Sequence, residues 1–482
     1  MATVNINYSQ SVADLAYQLG LRSGADDITD IGSLVAMFSA ATQLPTLLSG
    51  AGVGGEMRGA QLHFAAPGNV ATIDYTGMAG RTAGGLIFEQ PNVLRLEETG
   101  SFNLQYTAVG ASVKLQAVSG TATSGSVQMM LPAGATEYDP LLGNVWLGFK
   151  GAITTDTAGR ISGNVTQLIA TADKLILRAI VEGNFAVSGN NGVQNGTEGA
   201  ATAAGELTRY SLAYQDGSVE SIEGVSVRVD SAATIDLIEN AAAFGGDDVF
   251  NVRMPALLRE SWTIEAGTGN DSISLQGGGG KLHVNAGSGN DVITLLGDSH
   301  TVNGGEGIDT VVLGGLRADW SARGTGVPSS FVHRSGAVET LQQVERVKFS
   351  DGAVAFDIDG YAGQAYRIYK AAFDRAPDLG GMGYYLDAMD HGRSLVQVAA
   401  GFLASPEYAQ RYGANVSDAA FITNLYHNVL HREPEQGGFD YYTALIAGGT
   451  SRAQILAGFS ESPENQAQVI GAIQNGIDYV AI

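Results

Sequence analysis

The chain of 482 residues contains no cysteine, so no disulfide supports its fold. No apolar run is long enough to span a bilayer. The opening residues MATVNINYSQSVADLAYQLG lack the basic and apolar segments of a Sec signal peptide. Basic residues are also few, with 26 Lys and Arg against 49 Asp and Glu and a net charge of −23. This charge disfavours nucleic acid as a partner and suits a protein that gathers cations.

Common catalytic motifs are absent as well. The sequence has no H-E-x-x-H, no G-x-S-x-G and no Walker loop, which argues against the usual metalloprotease, lipase and nucleotide-binding sites. We therefore predict no catalytic residue. A paired-carboxylate glycosidase site stays open, because it has no sequence motif. Its dispersed candidates are Asp74, Glu97, Glu98, Asp139, Asp156 and Asp173.

Glycine is abundant, at 66 residues, and one Gly-rich nonamer occurs three times. The copies read AGTGNDSIS from Ala266, AGSGNDVIT from Ala286 and GGEGIDTVV from Gly304, and a fainter relative, FGGDDVFNV, begins at Phe244. Each copy is a Gly-rich hexad that ends in Asp. A short strand follows, whose predicted inward residues are Ile273, Ile293 and Val311.

The hexads predict a row of calcium sites. Glycine permits left-handed backbone angles, so such a turn can expose its carbonyls on one side, and the terminal Asp adds a carboxylate. Oxygen ligands of these kinds suit Ca²⁺. Since one turn has too few oxygens, we expect stacked turns to pair Asp271 with Asp291 and Asp291 with Asp309. The predicted metal-site residues are Gly267, Gly269, Asn270, Asp271, Gly287, Gly289, Asn290, Asp291, Gly305, Gly307 and Asp309. A metal-free, Gly-rich β-solenoid is the alternative.

The nonamers resemble the calcium-binding repeat of RTX (repeats-in-toxin) proteins. The resemblance implies a parallel β-roll that binds calcium. The opposite turns, QGGGGKLHV and LGDSHTVNG, lack the terminal Asp, so we expect one calcium row. The resemblance to RTX proteins also implies export by type I secretion machinery, with an uncleaved C-terminal signal. The ending NGIDYVAI, in which Asp478 precedes a short apolar end, is similar to such a signal.

A second internal repeat occupies the C-terminal part. YKAAFDRAPDLGGMGYY from Tyr369 matches YHNVLHREPEQGGFDYY from Tyr426 at an offset of 57 residues, and GFLASPE later matches GFSESPE. This predicts two copies of one helical unit, with a helix start at each Ser-Pro-Glu. We expect Arg375 and Arg432 each to bond carbonyls or the acid of its own turn, Asp378 and Glu435 respectively. The segment resembles the domain-of-unknown-function 4214 family, which implies no chemistry.

The predicted fold class is mainly β with an all-α C-terminal domain. We expect a short helical N-terminus at 1–50, a β-rich domain at 51–240 that is a sandwich or an irregular β-helix, a calcium β-roll with closing hairpins at 241–357, and a helical repeat domain with the secretion signal at 358–482.

The predicted function is that of a secreted, calcium-binding surface or matrix protein, adhesin-like or surface-layer-associated. Its expected place is extracellular or at the cell surface, with a surface polysaccharide or another surface protein as partner. The alternative is an enzyme acting on extracellular polysaccharide through carboxylates in 51–240.

Overall fold

A computed structural model of the chain describes residues 2–7, 55–58, 61–65, 82–89, 94–109, 112–130, 144–155, 160–172, 176–190, 202–229, 244–258, 261–324 and 328–482. The fold is mixed, with β-sheets in the N-terminal and middle regions and eight α-helices near the C-terminus among the described residues. The chain divides into two compact units, Met1–His283 and Val284–Ile482.

The first unit begins with a series of strands, most of which pair antiparallel with a neighbour. Alternating sequences such as NVWLGF and SFNLQYTAV give them the period of two that strands require. Their bounds are β1 (Thr3–Asn7), β2 (Gly55–Arg58), β3 (Gln61–Ala65), β4 (Thr82–Glu89), β5 (Leu94–Val109), β6 (Ser112–Met130), β7 (Asn144–Thr155), β8 (Arg160–Ala172), β9 (Ile176–Asn190), β10 (Thr202–Tyr214) and β11 (Val219–Val229).

Each strand from β4 to β11 pairs antiparallel with the next one along the chain. This pairing is that of a meander. The parallel pairing of a β-helix is not found among the described strands from β4 to β11, and neither are the two separate sheets of a sandwich. The described strands of 51–240 thus show antiparallel neighbours only from β4 to β11, and the choice between a sandwich and an irregular β-helix stays a prediction.

The predicted helical N-terminus is wrong for residues 3–7. This segment is strand β1, whose Val4 and Ile6 are buried while their neighbours are not. It pairs antiparallel with β11 and parallel with the later strand Val249–Arg253. The sequence TVNIN alternates with a period of two, and this local pattern outweighs the helical spacing that follows it. The rest of the predicted helical segment lies outside the described residues.

Parallel strands follow, one after each Gly-rich turn. In the first unit β12 (Val249–Arg253) pairs in parallel with β14 (Ser272–Gln276). In the second unit β16 (Val292–Leu296), β18 (Thr310–Leu313) and β22 (Arg346–Phe349) pair in parallel in that order. The strands that precede the turns are β13 (Trp262–Glu265), β15 (Leu282–Ser288), β17 (His300–Glu306) and β21 (Val338–Gln342). The predicted inward residues Ile273, Ile293 and Val311 are all buried, which confirms that prediction.

Hairpins follow the last turns, as the sequence predicted. Strands β19 (Trp320–Arg323), β20 (Ser330–His333) and β21 pair antiparallel in that order. Strand β22 turns back into β23 (Gly352–Ala355), and β23 pairs with the C-terminal strand β24 (Ile477–Tyr479). The tail that resembled a secretion signal is thus part of a sheet, with Ile477 and Tyr479 buried.

The helical region confirms the predicted duplication. The helices of the first copy are α1 (Tyr361–Phe373), α2 (Leu379–Asp390), α3 (Leu395–Leu403) and α4 (Pro406–Tyr412). Those of the second copy are α5 (Asp418–Val429), α6 (Gln436–Ala447), α7 (Arg452–Ser460) and α8 (Pro463–Ile473), and each starts 57 residues after its counterpart. Ser405 and Ser462 cap α4 and α8 by accepting main-chain N–H groups, as their Ser-Pro-Glu motifs predicted.

The two copies differ on the outer face of their second helix. Helix α2 buries Met382, Gly383 and Leu386, and the C-terminal segment packs closely enough that a Cβ on Gly383 would lie 1.9 Å from the carbonyl oxygen of Val480. The counterpart α6 buries no residue fully, and Asp440 stands where α2 has Gly383. The first copy is therefore built to receive the tail, and the second is built to face water.

Candidate functional site

The Gly-rich turns hold their glycines in the conformation that the sequence predicted. The second and fourth residues of all three hexads have positive φ, where a side chain is disfavoured. The angles are 95° at Gly267, 124° at Gly269, 110° at Gly287, 131° at Gly289, 107° at Gly305 and 132° at Gly307.

Close stacking of successive turns is a second reason for glycine. A Cβ on Gly307 would lie 1.8 Å from the carbonyl oxygen of Gly289, and one on Gly305 would lie 1.9 Å from that of Gly287. In the first unit, a Cβ on Gly269 would lie 2.2 Å from the carbonyl oxygen of Gly246. Such separations exclude a side chain, so main-chain carbonyls of one turn lie directly against the backbone of the next.

The carboxylates that end the hexads are buried. Asp271, Asp291 and Asp309 are at most 2% exposed. In the first unit, the main-chain N–H of Asp248 donates to Oδ1 of Asp271 over 2.8 Å. In the second unit, the main-chain N–H of Asp291 donates to Oδ1 of Asp309 over 2.9 Å. A carboxylate of one turn is thus hydrogen-bonded to the backbone of the preceding turn in both units.

The fifth residue of two of the turns is bonded in the opposite direction. Oδ1 of Asp247 accepts the main-chain N–H of Asn270 over 2.8 Å, and Oδ1 of Asn290 accepts that of Ile308 over 2.9 Å. Two reciprocal side-chain bonds therefore lock each of these junctions. Asn290, predicted as a metal-site residue, serves in this lock through its side-chain oxygen.

Two carboxylates of this arrangement were missed by sequence reasoning. Asp248 ends the fainter turn that begins at Phe244, and the pair of acids in FGGDDV was the available signal. Glu345 lies beyond the last Gly-rich hexad, and its Oε2 accepts the main-chain N–H of Asp309 over 2.9 Å. The sequence TLQQVE before β22 has no glycine, so nothing in it marked Glu345.

Negative charge is unfavourable where these side chains lie. Burial, together with the charges of Asp291 and Glu345, raises the pKa of Asp309 to about 7. Burial also raises the pKa of Glu345. A proton or a cation would relieve this cost.

The structure brings some predicted site residues together and leaves others untested. Asp291 and Asp309 lie in adjacent turns of the second unit. The predicted pair of Asp271 with Asp291 belongs to different units and stays a prediction. In the described part of the chain, no three His, Asp or Glu side chains form a group that could hold a metal ion. Ligands beyond the carboxylates would have to come from main-chain carbonyls.

The candidates for a glycosidase pair do not form a described site. Glu97 and Glu98 lie next to each other in β5. Asp74, Asp139, Asp156 and Asp173 lie outside the described residues. The enzymatic alternative therefore stays a prediction.

Each helical copy contains an arginine clamp. The Arg375 guanidinium makes two bonds to Glu407, 2.8 and 2.9 Å long, and lies 5.0 Å from the centre of the Tyr369 ring. The second copy repeats this with Arg432 and Glu464, at 3.0 and 3.2 Å. The bonds from Arg375 lower the pKa of Glu407 below its usual value.

Each arginine bonds its own turn, as predicted, and each also has a partner that the sequence did not indicate. Arg432 bonds Glu435, and Arg375 donates to the main-chain carbonyl oxygen of Ala376 over 3.1 Å and lies 3.9 Å from Asp378. The bidentate partner of each arginine, however, is the glutamate of the later Ser-Pro-Glu motif. That partner follows its arginine by 32 residues, so only the packed fold reveals it.

Two exposed tyrosines lie at equivalent positions of the two helical copies. Tyr384 and Tyr441 occupy equivalent positions and are 51% and 59% exposed, whereas the adjacent Tyr385 and Tyr442 pack against the core.

No helix in the described ranges is long and apolar enough to cross a membrane.

Comparison with known proteins gives one match, and it lies in the helical region. Residues 364–409 and 399–469 match the family described as domain of unknown function (DUF4214), which agrees with the resemblance seen in the sequence. No curated protein and no solved structure matches the chain. The C-terminal helices thus contain a DUF4214 domain.

Proposed function

We propose that this chain is a secreted surface or matrix protein whose Gly-rich turns form a calcium β-roll of the RTX type. The observation that carries the proposal is the stacking of carboxylates in register: Asp248 on Asp271 in one unit, and Asp291, Asp309 and Glu345 in the other. Stacked carboxylates repel one another, and a divalent cation between turns would remove that repulsion.

The available ligands suit calcium better than a transition metal. The turns offer carboxylate and main-chain carbonyl oxygens, and the chain has no cysteine. Hard oxygen donors in a flexible, multi-ligand arrangement are the preference of Ca²⁺. Its binding energy would add to the folding energy of the repeats, because the unfolded chain presents no preformed site.

One observation favours a second candidate, a solenoid that stands without metal. The carboxylates of Asp271 and Asp309 each accept a main-chain N–H from the preceding turn. Asp247 and Asn290 bond in the reverse direction, so these turns hold each other without an ion. The two candidates differ in what calcium does to stability.

The test is a calcium titration of the full-length, chelator-treated protein by calorimetry, together with thermal unfolding followed by circular dichroism. The proposal predicts heat of binding and a rise in the unfolding temperature. Asp291→Asn keeps the shape and an acceptor oxygen but removes the charge, so it should weaken calcium binding with little change in the metal-free protein. Asp298→Asn, an acid of the opposite turn, is the matched control. If no heat of binding is measured at millimolar calcium, the calcium proposal is wrong and the metal-free solenoid is the better description.

Export is the second half of the proposal. It is supported by the missing cysteine, the acidic charge and the acidic-apolar ending. Because β24 pairs with β23, a large truncation would damage the fold as well as the signal. Replacing the exposed Val480 and Ile482 by Ser avoids that damage. We expect these variants to fold but to stay inside the native host, and their normal appearance in the medium would contradict a signal at this end.

A further inference from the structure

The turn at 340–345 shares one backbone feature with the hexads without sharing their sequence. Gln343 has a φ of 48°, in the left-handed region that glycine occupies in the other turns. The register of β18 with β22 sets Thr310 opposite Arg346, so Glu345 stands where the next hexad aspartate would stand. The turn of TLQQVE is thus stacked on that of GGEGID, with a glutamate as its terminal acid.

Oxygen atoms from both turns converge beside Gly304. A Cβ on this glycine would lie 2.2 Å from the carbonyl oxygen of Gln343 and 2.5 Å from Oδ2 of Asp309. The other two hexads have alanine at the equivalent position, and Ala266 and Ala286 are fully buried there. Glycine is required only in the third copy, because there the first residue faces this group of oxygens.

The Asp309 side chain is directed into this space with one oxygen unused. Asp309 is fully buried, its Oδ1 accepts the N–H of Asp291, and no donor among the described residues reaches Oδ2. A buried carboxylate oxygen without a donor is costly, so a ligand that supplies positive charge would be favoured. Gln343 is exposed and Glu345 is half-buried, which leaves access for an ion with its waters.

We infer that Asp309, the main-chain carbonyl of Gln343 and Glu345 form a terminal cation site that takes Ca²⁺ at the C-terminal end of the row. This inference rests on the proposed calcium binding of the hexads, but it adds a site that the repeat motif does not mark. Its ligand set is two carboxylates and one carbonyl, with water completing the shell of the ion.

The test compares calcium stoichiometry by calorimetry in the full-length wild type, Glu345→Gln and Gly304→Ala. The glutamine keeps an oxygen that can accept the Asp309 N–H, so the metal-free fold is preserved while the charge is lost. The alanine methyl would occupy the space between the Asp309 and Gln343 oxygens. We expect each variant to bind one ion fewer than the wild type, with the remaining ions retained, and Asp298→Asn to bind as many as the wild type.

Two results would overturn the inference and are distinguishable. If the wild type binds calcium and Glu345→Gln binds the same number with unchanged affinity, the terminal site is wrong while the proposed function stands. If the wild type binds no calcium, both are wrong. Circular dichroism of Gly304→Ala without metal checks that the loss of an ion in this variant does not come from misfolding. If Gly304→Ala does not fold, the stoichiometry of Glu345→Gln alone tests the inference.

Discussion

The second glycine of each Gly-Gly pair in the helical repeat should tolerate no methyl group, whereas the first should. A Cβ on Gly438 would lie 2.1 Å from the hydroxyl oxygen of Tyr426, and nothing lies within 4 Å of a Cβ on Gly437. Tyr426 cannot easily move aside. It is 3% exposed, its ring packs on Phe459 and the Arg432 guanidinium lies 5.0 Å from its centre.

The magnitude follows from comparing the two neighbours. Alanine is a better helix former than glycine by up to ~1 kcal/mol, and this gain is common to Gly437→Ala and Gly438→Ala because both lie in the first turn of α6. Only Gly438→Ala adds an overpacking cost, which is typically ~1–3 kcal/mol. The difference between the two variants therefore isolates the contact with Tyr426.

Hydrogen exchange by mass spectrometry on the full-length protein measures this difference locally. Peptides that cover α5 and α6 should exchange roughly 5- to 150-fold faster in Gly438→Ala than in Gly437→Ala. The same contrast should be weaker in the first copy, because a Cβ on Gly381 would lie 2.7 Å from the hydroxyl oxygen of Tyr369. Equal exchange in the two α6 variants would refute the reasoning.

Three further predictions concern the second unit. Arg346→Ala should lower the free energy of unfolding in urea by ~3–5 kcal/mol, because it leaves Asp357 buried without its ion pair. Arg317 is exposed, so Arg317→Ala should lower it by less than ~1 kcal/mol. Similar losses in the two variants would contradict the role of burial. Burial raises the pKa of Glu339 in the folded protein. The protonated side chain therefore contributes to stability, and this contribution is complete when the pH is below the pKa of the unfolded chain, ~4.3. It is lost as the pH rises through the pKa of the folded protein. Glu339→Gln should therefore gain stability relative to wild type as pH rises above ~4.3, and a difference that does not change with pH would contradict this. Tyr479→Ala should cost about 3 kcal/mol and speed hydrogen exchange in β23, since this buried ring belongs to the strand that closes the sheet; an unchanged β23 would show that the tail is dispensable.

Local sequence was sufficient where one turn or one helix contains the whole cause. The positive φ of Gly269 and Gly289 follows from the hexad itself, because the chain must reverse there and other residues resist that angle. The inward direction of Ile273 follows from the period of two along a strand. The duplication in the helical region was visible as an offset of 57 residues, and helix starts such as Ser462 carried their own capping signal.

The tertiary structure alone decided which distant segments meet. Residues 3–7 form a strand because β11 and β12 offer two edges that their alternating side chains fit, against the helical pattern next in sequence. Glu345 joins the carboxylate row because strand register sets it opposite Asp309 after an intervening hairpin. Arg375 makes its bidentate bond to Glu407 and not to Asp378, which is nearer in the sequence, because helix packing presents both carboxylate oxygens of Glu407 to the planar guanidinium. Each of these contacts joins segments that are far apart in the sequence. The pattern of residues within one segment therefore cannot predict it.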